Sequence, residues 1–93
     1  MFIGYQAVAA PAGVEQTVVA LVIPQATQRA WVQASANNIR FTLNGVPAGL
    51  FHGMTLLVTQ HPIWIEREDL VNIRFIAAVN AQLDISYYTT RNI

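Results

Sequence analysis

Ala81-Gln82-Leu83-Asp84-Ile85-Ser86-Tyr87-Tyr88 alternates apolar and polar side chains with a period of two. Ala81, Leu83, Ile85 and Tyr87 share one face of an extended chain, and Gln82, Asp84, Ser86 and Tyr88 share the other. A helix would scatter both sets around its circumference, whereas a half-buried strand separates them. Ile39-Arg40-Phe41-Thr42-Leu43 alternates as strictly, and so does Arg29-Ala30-Trp31-Val32-Gln33-Ala34. Weaker strands are expected over Gln16 to Ile23, Met54 to Thr59, Ile63 to Glu66, Ile73 to Ala78 and Tyr5 to Ala9.

The punctuation between these segments agrees. Pro11-Ala12-Gly13, Pro24, Asn37-Asn38, Asn44-Gly45, Gln60-His61-Pro62, the charged turn Arg67-Glu68-Asp69 and Asn80 all mark corners. The one helical candidate is a single turn near Glu66 to Leu70. Short strands with turns every 8–12 residues are the signature of a sandwich or small barrel. The expected fold is therefore all-β: a single domain over residues 1–93, an antiparallel β-sandwich or flattened, jelly-roll-like barrel of seven to eight short strands. Asn38-Ile39-Arg40-Phe41 recurs as Asn72-Ile73-Arg74-Phe75. Two copies do not define a solenoid. Either chance on a common strand pattern produces them, or they are two equivalent strands with Ile and Phe inward and Arg outward.

Composition narrows the function. The chain has 93 residues, no net charge and no cysteine, with 54% apolar and 11% charged residues. Average domains are about 25% charged. Five basic and five acidic residues cancel, so the basic surplus of a nucleic-acid binder is missing. The longest apolar run, Val18 to Ile23, falls far short of the ~20 residues that span a bilayer. Neither nucleic acid nor membrane is an expected partner. All five basic residues are arginine: Arg29, Arg40, Arg67, Arg74 and Arg91. Arginine suits interfaces better than lysine does, although codon or lineage bias explains the set equally well. Size scaling gives a folded surface of roughly 5,400 Å² against about 15,000 Å² unfolded. That burial cannot hide a 54% apolar composition, and covering by another subunit would account for the remainder.

Catalytic groupings are sparse. His52 and His61 are nine residues apart, which matches no metal spacing. Neither Ser35 nor Ser86 lies in a Gly-x-Ser-x-Gly elbow. Glu66, Glu68 and Asp69 lack the spacing of a calcium loop, and Arg67 in their midst is expected to neutralise them. No catalytic residue, metal ligand or cofactor is therefore expected. The loop Asn44 to Gly53 is apolar where a solvent loop would be polar. Val46, Pro47, Leu50 and Phe51 there suggest packing, either on this domain's own edge or on a neighbour. Trp31 and Trp64 alternate with small apolar residues and are expected to point away from the core. Three readings stand for them: a sheet with both faces partly covered, an interface anchor, or a carbohydrate platform.

The order of these features resembles a known family. Leu21-Val22-Ile23-Pro24-Gln25-Ala26-Thr27 leads to an alternating strand; Asn38-Ile39-Arg40-Phe41-Thr42-Leu43-Asn44-Gly45-Val46-Pro47 follows, then Gly49 and Gly53. Leu70-Val71-Asn72-Ile73-Arg74-Phe75-Ile76 and the strand ending in Tyr87-Tyr88 close the pattern. It resembles the small β-sandwich virion proteins of tailed bacteriophages over about residues 20 to 89. Asn44 stands for the family's usual Asp, and Ala48 for the usual Thr after Pro47. The resemblance implies a non-enzymatic role on the capsid surface of the virion, as a decoration or cement protein that binds the major capsid protein or other virion subunits. It also implies a homo-oligomer, with a trimer favoured by the local threefold points of capsids. A tail or fibre-base component and a carbohydrate-binding module are the alternatives. The residues expected at the interface are Trp31, Arg40, Val46, Pro47, Leu50, Phe51, Trp64 and Arg74.

Overall fold

A computed structural model of the chain describes residues 1–44, 53–59 and 62–89. Eight strands form: β1 (Phe2–Ala10), β2 (Gln16–Thr17), β3 (Arg29–Ser35), β4 (Ile39–Thr42), β5 (Met54–Leu56), β6 (Ile63–Glu66), β7 (Arg74–Ile76) and β8 (Ala81–Tyr88). One helical turn, α1 (Arg67–Leu70), lies between β6 and β7. The strands make two four-stranded antiparallel sheets, ordered β1-β8-β3-β6 and β2-β7-β4-β5. The pairs β1·β8, β2·β7, β3·β6 and β4·β5 are nested. The chain is thus one long hairpin, bent over the β4–β5 connection and wrapped so that successive pairs alternate between sheets. That wrapping is the jelly-roll arrangement.

The period-two pattern fills the space between the sheets. Ala30, Val32 and Ala34 of β3, Ile65 of β6, and Leu83, Ile85 and Tyr87 of β8 are buried from one side. Ile39 and Phe41 of β4, Leu56 of β5 and Phe75 of β7 meet them from the other, with Ile73 just ahead of β7. α1 adds Leu70, its one buried residue. The repeated tetrapeptide proves to be two neighbouring strands: β4 and β7 pair with Phe41 opposite Phe75. Both Ile and both Phe are buried and both Arg face outward, half-buried.

The largest departure from expectation is Gln16 to Ile23. Only Gln16–Thr17 joins a sheet, and Val18–Ala20 winds into a 3-10 turn capped by the Thr17 side chain, which accepts from the Val19 amide. The cause lies in Gln6. Its amide donates to the Ala20 carbonyl (3.0 Å), and its Oε1 accepts from the Val22 amide (2.8 Å), so a side chain takes the place of a ladder. The corner at Asn37-Asn38 forms ahead of Ile39 as expected, with the positive φ at Ala36 (71°). The two asparagines fix the corner by hydrogen bonds: Asn37 Nδ2 donates to the Asn80 carbonyl, and Asn38 Oδ1 accepts from the Val58 amide. Gly53 has φ 110°, and a Cβ there would lie 2.8 Å from the Phe41 carbonyl oxygen, so this end of the β4–β5 hairpin requires glycine.

Tyr87 ties the core to this network. Its ring is 1% exposed, and its hydroxyl donates to Gln6 Oε1 at 3.0 Å. Burial pushes its pKa up from the ordinary 10.0 to about 12, because the charged phenolate is the form that desolvation penalises. The folded state therefore holds this proton more tightly than the unfolded chain. Its contribution to stability is complete below pH 10 and is lost as pH rises toward 12. Urea denaturation should show stability falling over that window, and Tyr87→Phe should make the fall shallower. At neutral pH the same substitution should cost about 1 kcal/mol for the lost hydrogen bond.

Candidate interaction surface

The outer face of the β1-β8-β3-β6 sheet carries the described aromatic side chains that the core leaves over. β3 and β6 pair with Trp31 directly opposite Trp64. Their rings stack at 5.0 Å between centroids, inclined by 27°. Tyr88 of β8 meets Trp64 edge-on at 5.1 Å and lies 6.4 Å from Trp31. Phe2 of β1 meets Tyr88 edge-on at 5.7 Å. The rings form a stripe across all four strands, with both tryptophans about 40% exposed (Trp31 39%, Trp64 43%).

A β-bulge extends the stripe to β1. Phe2 is in register with Tyr88 and Gly4 with Tyr87, so Ile3 is the extra residue. Val8 and Ala10 point inward, and an unbroken alternation would carry Phe2 inward with them. The bulge shifts the alternation by one, which sends Ile3 to the core and Phe2 to the outer face. Tyr5 stands farther along that face, exposed, with its hydroxyl donating to Asp84 Oδ1 at 2.9 Å. That hydrogen bond first, then burial and the Asp84 charge, raise the Tyr5 pKa.

Arg29 supplies the cation of the surface. Its guanidinium lies 4.1 Å from the Trp64 ring centroid, a cation–π distance. Its Nε is buried with no hydrogen-bond partner among the described residues. Glu66 is opposite it in register, yet among the described residues no ion pair holds Arg29.

The structure brings Trp31 and Trp64 together and places Arg40 and Arg74 elsewhere. Both arginines lie on the outer face of the other sheet. Arg40 Nη1 donates to the Gly53 carbonyl at 3.2 Å, and Arg74 Nη1 pairs with Glu15 Oε1 at 3.3 Å. Val46, Pro47, Leu50 and Phe51 lie outside the described residues, as do His52, His61 and Arg91. Arg67 makes no ion pair with its acidic neighbours among the described residues. Its Nη1 donates to the carbonyls of Pro24, Gln25 and Thr27 at 3.0–3.2 Å, which fixes the turn leading into β3. Glu66, Glu68 and Asp69 are exposed, and among the described residues no group of acidic or histidine side chains is disposed to hold a metal. The four described arginines are thus spent on carbonyls, a carboxylate and a ring.

Sequence reasoning missed Phe2, Tyr88 and Arg29. Tyr88 was legible as outward-facing from its own strand. Phe2 needed the bulge, and Arg29 needed the β3–β6 pairing, which joins residues more than thirty apart in the chain. Comparison with protein-family models, curated proteins and solved structures finds no match. The stacked pair is open to direct test. A double-mutant cycle of Trp31→Ala and Trp64→Ala should give a coupling energy of roughly 0.5–1.5 kcal/mol in unfolding experiments. Additive losses would mean that the rings do not support one another.

Proposed function

We propose that the protein is a non-enzymatic structural subunit of a tailed-phage virion, of the capsid decoration or cement type, which acts by binding other virion subunits. The observation that carries this reading is the half-exposed aromatic stripe on one outer face of the sandwich, with Arg29 set among its rings. Aromatic and arginine side chains are the groups that dominate protein–protein contacts. The jelly roll is common to capsid and lectin domains, but a fold does not by itself carry a function. The resemblance in the sequence supports the virion, and the stripe supports the mode of action. Binding would bury the outer edges of Trp31 and Trp64 within an interface of about 1,600 Å², the standard size. Contact with several capsid subunits at once would multiply individually weak contacts.

The arrangement of the rings favours a protein partner over a carbohydrate. A sugar ring stacks on an open aromatic face. Trp64 already carries Trp31 at 5.0 Å and the Arg29 guanidinium at 4.1 Å, and Tyr88 stands edge-on beside it. Cosedimentation with empty capsids tests the proposal. The chain should bind, and Trp31→Ala and Trp64→Ala should each weaken binding by at least tenfold, the size of effect expected of an interface hot spot. Failure to bind capsids, with binding to tail or fibre components instead, would move the protein within the virion. Quenching of tryptophan fluorescence by oligosaccharides would favour the carbohydrate reading.

A further inference from the structure

The two sheets present four edge strands, and three of them are short: β2 has two residues, β5 three and β6 four. β1 has nine. An exposed edge offers a row of unpaired backbone N–H and C=O groups, and proteins usually blunt it with brevity, charge, proline or a bulge. β1 reads Phe-Ile-Gly-Tyr-Gln-Ala-Val-Ala-Ala, with no charge and no proline. Its bulge is confined to the stretch between Phe2 and Gly4, and from Tyr5 to Ala10 the register with β8 is regular. Among the described residues, no backbone hydrogen bond outside the β1–β8 pairing reaches Phe2–Ala10.

Apolar groups flank this edge on both sides. On the outer face, Phe2 and Tyr5 are exposed and continue the aromatic stripe. On the other, Val22 is 77% exposed and is held beside β1 by Gln6, and nearby Val19 is 88% exposed. The first charged residue of the chain is Glu15, so an antiparallel pairing of β1 with itself opposes no charged side chains. We infer that β1 pairs antiparallel with β1 of a second copy about a twofold axis, joining two four-stranded sheets into one sheet of eight strands. The contact is isologous: the same uncharged strand serves both sides. It would satisfy the open backbone groups of Tyr5–Ala10 and bring the Tyr5 ring of each copy against the alanines of the other. The inference concerns association of the chain with itself and stands apart from what the stripe binds.

Sedimentation of the full chain at micromolar concentration tests it. The wild type should have the mass of a dimer. Ala7 and Ala9 are exposed on the outer face, so A7K/A9K should remain folded by circular dichroism and sediment at half that mass. The protein has no cysteine, which permits a second reading. With single cysteines introduced at Tyr5, Ala7 and Ala9, mild oxidation should give a covalent dimer with at least one of the three, even if the lysine variant proves unstable. A monomeric wild type, a trimer, or a dimer that neither responds to the lysines nor cross-links would overturn the inference.

Discussion

The structure depends on the placement of β8 between β1 and β3. This strand is the second longest of those described and the one that joins β1 to β3 within their sheet. Its inward residues Leu83, Ile85 and Tyr87 lie in the core, and its last outward residue, Tyr88, is the ring that joins Phe2 to the stacked pair Trp31 and Trp64. Because strands alternate with a period of two, a slip of one residue would exchange the two sets. Tyr87 would move to solvent and Tyr88 to the core. The same register that closes the core therefore determines which aromatic groups are left outside it.

That dependence explains what was legible in the sequence. Alternation over Ala81 to Tyr88 and Arg29 to Ala34 is a local property, and those segments are strands in the structure; the third, Ile39 to Leu43, is a strand as far as Thr42, which is buried where the alternation puts it outside. Ile63–Glu66 and the helical turn at Arg67–Leu70 also fall where the turn residues bracket them. Val18 to Ile23 misled because its β-branched composition describes what the run prefers, not whether a neighbouring strand is free to pair with it. Gln6, some fourteen residues earlier, decided its conformation through two hydrogen bonds. Trp31 and Trp64 were each legible as outward-facing, but their stacking depends on a pairing between strands distant in sequence. Phe2 was hidden for a different reason: a bulge has no signature in the pattern of a single strand.

The low charge of the chain is resolved in part by the same structure. Arginine here is largely a framework residue. Arg67 fastens the turn before β3 and Arg40 the end of the β4–β5 hairpin, while Arg74 pairs with Glu15 beside β2. Arg29 differs, since an aromatic ring is its partner and its surroundings are the aromatic stripe. Exposed apolar side chains are scattered over the described surface, Met54, Leu57 and Val79 among them, but in two places they have distinct consequences. The stripe offers a face of rings for another protein, and the uncharged edge of β1 offers backbone to a copy of the same chain.

The central claim is that the stripe is covered in the assembled state. Trp31 and Trp64 are the only tryptophans of the protein, so its fluorescence reports on this surface alone. The most direct measurement is acrylamide quenching of that fluorescence, in the free chain and after binding to capsids that contribute no signal of their own. Both rings are about 40% exposed, so the free chain should be readily quenched, and binding should reduce the quenching constant severalfold with a blue shift in emission. Capsid-bound protein whose tryptophans quench as readily as in the free chain would contradict the account.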